Sequence, residues 1–239
     1  MVASIAKHPE QNVIRVTENF RKIQDLLAKA AADAGRPAED ICLLAVGKTK
    51  PIEAILELAA AGQRDFGENF VQEGVEKITK CGRDDLVWHF IGHLQSNKTR
   101  AVAEHFQWVH TVDRLKIAKR LSAQRPPQAS DLNICIEVNI DGENNKSGAD
   151  PADVPDLAAA IATLPRLKLR GLMCLPAIRA GFAEQREPFA ALREMLASLN
   201  EKGLGLDTLS MGMTADYAAA IQEGATIVRI GTALFGARA

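Results

Sequence analysis

ICLLAVGKTKP, residues 41–51, is the stretch on which the fold turns. A short, nearly unbroken apolar run rich in Ile, Leu and Val ends in Gly47, and a polar turn with Pro51 follows. Such a run, bounded by turn residues, reads as a strand buried on both faces, which is the habit of parallel sheets. Pro51 then opens a helical pattern over 52–61. Working outward, the same couplet of short strand and longer helix recurs. Further strands are predicted over 65–68, 88–92, 108–112, 133–140, 169–175, 208–211 and 227–230, which makes eight with the first. Helical patterns lie between them over 70–79, 97–105, 114–123, 151–163, 182–202 and 215–223. Another helix over roughly 12–34 precedes the first strand; Val16, Phe20, Ile23 and Leu27 keep helical spacing and Gly35 provides its stop.

Alternating β and α elements call for an α/β fold with right-handed crossovers. Eight such units in 239 residues favour a closed (β/α)₈ barrel of the TIM type over an open doubly wound sheet, since such a barrel takes about 250 residues. The chain is therefore read as one domain over 1–239, with the extra N-terminal helix over about 10–35 and the barrel over 41–239. Residues 125–131 (RPPQASD) read as a loop, and 179–188 as a less regular, mobile loop before its helix.

The composition removes several function classes. With 47% hydrophobic and 25% charged residues the chain has the balance of a soluble protein with a large core. A formal net charge of −1 lacks the basic excess that nucleic-acid binding needs. No window approaches the roughly 20 apolar residues of a membrane span, and the opening MVASIAKHPEQN has no apolar stretch fit for a signal peptide. The four cysteines lie apart with no Cys-x-x-Cys pair, as in a reducing compartment, so a cytoplasmic location is expected.

In a barrel of this kind the chemistry sits where strands end. Lys48 follows the first strand; partial desolvation there would lower its pKa and favour the neutral amine that forms an imine. The plain alternative is a surface lysine that begins a loop. Ser210-Met211-Gly212 ends the seventh strand and Arg229, Gly231 and Thr232 mark the eighth. Loops after strands 7 and 8 often bind phosphate, glycine lets backbone N–H groups come close, and Arg229 offers a charge-assisted bond to a phosphate or a pyridine nitrogen. Ordinary turns and a helix cap at Thr214 are the plain reading of the same residues. A lysine facing a phosphate cup is the combination that pyridoxal 5′-phosphate requires.

Other signals carry less. His89 and His93 are four apart on a strand-to-loop segment without a third ligand, so His89 is read as structural or cofactor-proximal and no metal is expected. The acidic loop 141–145 lacks the glycine and glutamate positions of a calcium loop. Gly231–Gly236 lacks the Lys-Ser/Thr of a phosphate-binding P-loop, and Gly203–Gly205 reads as a helix stop. Lys98, Arg100, Lys116, Lys119 and Arg120 read as a solvated helical surface.

AVGKTKP (45–51), FGENFVQE (66–73), WHFIGHLQSNK (88–98), NNKSG (144–148), LRGLM (169–173), LSMGM (209–213) and VRIGTALFGAR (228–238) closely resemble the pyridoxal-phosphate homeostasis proteins, the YggS/PROSC type. The resemblance spans 10–239 in order. It implies a barrel like the N-terminal domain of alanine racemase, with pyridoxal 5′-phosphate as cofactor on Lys48, Asn69 beside it, and Ser210, Gly231 and Thr232 at the phosphate with Arg229 close by. Gly47 stands where serine is frequent and Phe70 where tyrosine is frequent. The related racemases use a tyrosine from a second domain and a partner subunit; this chain ends after the eighth strand and holds one tyrosine, Tyr217. The expectation is thus a monomeric carrier that buffers or delivers the cofactor, with apo-enzymes as recipients and no nucleic-acid or membrane partner. A weak one-base racemase is the alternative. No role for the loop 144–148 follows from its residues.

Overall fold

The computed structural model describes residues 9–143 and 147–236, with side chains from Val16 onward. Asn144, Asn145 and Lys146 of the NNKSG motif, and Ala237 and Arg238 at the end of the last motif, lie outside the described residues.

The strands are β1 (Cys42–Val46), β2 (Asp65–Glu68), β3 (Val87–Phe90), β4 (Trp108–Val112), β5 (Leu132–Val138), β6 (Leu167–Cys174), β7 (Thr208–Ser210) and β8 (Ile227–Ile230). They close in sequence order into a barrel in which every neighbouring pair is parallel. The seam is the β1–β8 ladder, in register from Cys42↔Ile227 to Ala45↔Ile230. The helices are α1 (Pro9–Asp33), α2 (Ile52–Ala60), α3 (Val71–Cys81), α4 (Thr99–His105), α5 (Leu115–Gln124), α6 (Val154–Ala162), α7 (Phe182–Glu201), α8 (Tyr217–Gln222) and α9 (Thr232–Phe235). The TIM-type barrel read from the alternation of elements is the fold. No helix among the described residues is long and apolar enough to cross a membrane.

Strand ends follow the chemistry of the flanking turns. β3 stops at Phe90, two residues short of the expected end, and beyond it Gly92 lies against the Asn69 peptide, where a Cβ would come within 2.0 Å of Asn69 O. The helix after β7 starts at Tyr217, not at 215: the Met213 N–H donates to Asp216 Oδ1 at 2.6 Å and holds the intervening residues in a turn. Thr214 is therefore not a helix cap. Residues 232–235, unresolved in the hydrophobic pattern, form α9. The loop expected over 179–188 is shorter, since α7 begins at Phe182 and takes in a buried Pro188.

The apolar residues divide into two bodies. The larger lies between the barrel wall and the helices, and α1 adds Phe20, Ile23 and Leu27 to it. α1 packs on α2, α8 and α9, and Asn19 donates to Leu234 O, so this helix braces the seam. A smaller cluster of Leu44, Ile91 and Ile227 fills part of the lumen, with Trp108 against it. Polar side chains share the lumen with this cluster. His110 on β4 bonds Ser210 on β7, strands that are not neighbours, so this contact must cross the barrel interior.

Candidate functional site

The C-terminal ends of β2 to β6 enclose a cavity of about 340 Å³ lined by Asn69, Thr111, Glu137, Asn139 and Leu175 among others. That lies within the size range of small-molecule sites. The turns after β1 and β8 lie at the same end of the barrel. A Cβ on Gly231 would lie 3.3 Å from both Cβ and O of Val46, so the turn after β8 rests against the strand that leads to Lys48. Lys50 Nζ donates to the Gly236 carbonyl at 2.9 Å and ties the Lys48 turn to the end of α9.

The Lys48 turn is held from below. Lys50 N–H bonds Gly47 O at 3.0 Å, and Thr49 takes a left-handed backbone with φ 61°. A non-glycine residue there needs compensation. The Thr49 N–H donates to Glu73 Oε1 at 2.6 Å, and the Gly47 carbonyl accepts from Lys77 Nζ at 2.7 Å. Lys77 also bonds Glu68 Oε1 at 2.8 Å and Glu73 Oε1 at 2.7 Å. One buried ammonium thus fixes the backbone on one side of Lys48 and orients the carboxylate that fixes the other. Burial pushes Glu68 up to about 7 although Lys77 pulls it down, and Glu68 Oε2 has no partner among the described residues. Glycine at 47 suits this crowding: a Cβ would meet Ile55 Cδ1 at 2.6 Å and Glu68 Oε1 at 2.9 Å.

On the other side of the seam Arg229 is buried. It donates through Nη1 to Ser210 O at 2.6 Å and Ser210 Oγ at 2.8 Å, and through Nη2 to Cys174 O at 2.8 Å. Nε–H and one Nη2 hydrogen have no protein acceptor among the described residues. Burial lowers its pKa, yet a guanidinium starts so high that it stays a cation. Asn69 Oδ1 is likewise buried without a partner among the described residues. Glu137 is buried on β5, and burial followed by the nearby Asp113 charge pushes it up to about 7.

Lys48, Asn69, Gly212, Gly231 and Thr232 follow the C-terminal ends of their strands, Arg229 lies within β8, and of these residues Asn69 lines the cavity. Gly212 needs its glycine, with φ 92° and Ala220 Cβ 2.6 Å from where a Cβ would stand. Three other expected residues are placed differently. His89 lies inside the barrel, not at the mouth, with Nε2 on Asp65 (3.0 Å) and Nδ1 on His110 (2.9 Å), so neither nitrogen is spare. Ser210 turns its hydroxyl into the lumen, and Met211 buries its side chain in the outer core. Sequence reading passed over Lys77, Glu68, Glu73, His110 and Glu137. The two glutamates stand in FGENFVQE, and Lys77 follows Glu73 by one helical turn, a signal that was there to read. Nothing in the sequence marked His110 or Glu137 as interior.

Residues 15–239 match the family described as alanine racemase, N-terminal domain. The pyridoxal phosphate homeostasis protein of Pseudomonas aeruginosa is 57% identical over 223 residues, covering 93% of this chain and 96% of that protein. The chain belongs to the pyridoxal phosphate homeostasis protein family. PipY of Synechococcus elongatus, solved with pyridoxal phosphate bound, is 36% identical with a TM-score of 0.81, covering 92% of this chain and all of that one. Alanine racemase from Corynebacterium glutamicum shares the fold at 17% identity and a TM-score of 0.69, and this chain spans 61% of its length.

Two outcomes check the site. Lys77→Met leaves Glu68 buried without its counter-charge and should cost roughly 3–5 kcal/mol in denaturant unfolding; a loss below about 1 kcal/mol would mean the ion cluster is not holding the turn. Glu137 has a folded pKa near 7, above its unfolded value, so its contribution is full at low pH and is lost as pH rises through 7. Glu137→Gln should therefore flatten the fall in stability between about pH 5 and about pH 8. An equal slope in variant and parent would refute the assignment.

Proposed function

We propose that this chain binds pyridoxal 5′-phosphate as a Schiff base on Lys48 and serves to buffer and deliver it. The observation that carries the reading is the seam: Gly231 packs on the strand leading to Lys48, and the buried Arg229 keeps unclaimed donors beside it.

The residues present fit the group. The cofactor supplies an aldehyde for a primary amine and, once bound, an electron-withdrawing ring. Lys48 supplies the amine, on a turn whose backbone is pinned by Lys77 and Glu73. The Thr232 and Ala233 N–H groups open α9, where no intrahelical acceptor exists, and Gly231 lets a phosphate oxygen come close. Arg229 lies deeper than that exposed turn, so its free donors suit the ring nitrogen better than the phosphate. Asn69, with its orphaned oxygen, borders the same cavity.

Carriage is favoured over turnover by what stands at the mouth. Tyr217, the chain's one tyrosine, is on α8 and packed on the outer core, a placement that does not favour a second base opposite Lys48. Delivery to an apo-enzyme is supported by the rim. Phe70, Leu175, Ile178, Phe182 and Met213 are large exposed hydrophobics, and all stand on loops or helix starts that follow β2, β6 and β7. Apolar side chains gathered at one end of a molecule mark a surface for protein contact. A monomer in a cytoplasmic setting, with one domain built around the barrel, completes the proposal.

Purified protein mixed with the cofactor should show the visible Schiff-base band, and Lys48→Ala should abolish it; a full band in the variant would rule out Lys48. Incubated with an apo-enzyme and a trap for free cofactor, the loaded protein should transfer faster than it releases. Transfer at the release rate would exclude directed delivery, and Lys48-dependent racemisation well above background would exclude a carrier without turnover.

A further inference from the structure

A chain of hydrogen bonds crosses the lumen from Arg229 to the opposite end of the barrel. Arg229 Nη1 reaches Ser210 Oγ at 2.8 Å, Ser210 Oγ lies 2.8 Å from His110 Nδ1, His110 Nε2 lies 2.9 Å from His89 Nδ1, and His89 Nε2 lies 3.0 Å from Asp65 Oδ1. Asp65 opens β2, so its carboxylate is at the N-terminal rim and partly solvated. The two histidines and Ser210 are fully enclosed.

The donor roles follow from one fixed end. The Asp65 carboxylate only accepts, so a neutral His89 donates to it from Nε2 and accepts at Nδ1 from His110 Nε2–H. His110 then accepts at Nδ1, where the Ser210 hydroxyl, itself accepting from Arg229, donates. Burial holds both histidines below their usual pKa, which keeps one proton on each ring. All roles point one way, from cation to anion.

The chain cannot conduct protons to the mouth, because Arg229 does not give up its own. What it can transmit is position and charge. Arg229 has no ion-paired carboxylate among the described residues; Asp216 and Glu137 act on it only through space, and Asp65 is the carboxylate at the far end of its hydrogen-bonded chain.

We propose that Asp65, His89 and His110 are positioning residues for Arg229, which they hold with its free donors set to bind the pyridine nitrogen of the cofactor. This rests on the cofactor reading above. A ring nitrogen that accepts from a guanidinium stays unprotonated and is a weaker electron sink, which suits a protein that keeps its cofactor rather than spending it.

The test has two arms. In cofactor-free protein, ¹⁵N spectra of the imidazole rings should show His89 and His110 both neutral with the proton on Nε2. An Nδ1–H tautomer or an imidazolium at either position overturns the chain, and this arm needs no variant. In loaded protein, Asp65→Asn should shift the ¹⁵N signal of labelled pyridoxal phosphate at its ring nitrogen and weaken cofactor binding by roughly three- to tenfold, as loss of one polarised hydrogen bond does. Asp65→Glu, which keeps the carboxylate, should restore much of both. An Asp65→Asn protein with unchanged ring-nitrogen signal and affinity contradicts the proposal. If the tautomers are as assigned but the parent protein takes up no cofactor, the functional reading has failed, and the cofactor half of the proposal falls with it.

Discussion

Closure of β8 onto β1 is the constraint on which everything functional here depends. In an open sheet these would be opposite edges, each with a row of unpaired backbone groups. Pairing Cys42 to Ala45 with Ile227 to Ile230 removes both edges and sets two distant pieces of sequence side by side. The Lys48 turn and the Gly231 turn become neighbours because the ladder ends where both begin. The clamp of Lys50 on the end of α9 and the brace of α1 over the seam secure the same junction.

Buried charge organises the rest. Two cations with different tasks flank the seam. Lys77 neutralises Glu68 and Glu73 and spends its third donor on the Gly47 carbonyl, so its desolvation is offset by local bonds and its effect is to freeze a turn. Arg229 is satisfied by carbonyls, a hydroxyl and a lumen-spanning chain, and this leaves donors over. A lysine could not take its place: three bonds would exhaust an ammonium, whereas a guanidinium has five hydrogens.

Strand runs such as ICLLAVG and NICIEV made the barrel legible in the sequence, because burial on both faces writes an apolar run that polar loops interrupt. The mouth was legible where glycine or lysine breaks such a run, as at 47–48 and 231. The lumen was not. Side chains such as His89, His110 and Ser210 are buried by pairing across strands that are apart in sequence, and local pattern carries no trace of a partner 100 positions away. That is why the sequence alone does not separate Ser210 from residues at the mouth, or the structural from the cofactor-proximal reading of His89. The helix after β7 starts later than its pattern predicts because of the Asp216 turn.

The central claim is that the seam between β1 and β8 is a cofactor site. A crystal structure of the protein loaded with pyridoxal 5′-phosphate tests it most directly. The account predicts continuous density from Lys48 Nζ to the cofactor, the phosphate at Gly231 and Thr232, and the ring nitrogen against Arg229. Density attached to another lysine, such as Lys50 or Lys98, or a phosphate directed away from the Gly231 turn, would contradict it.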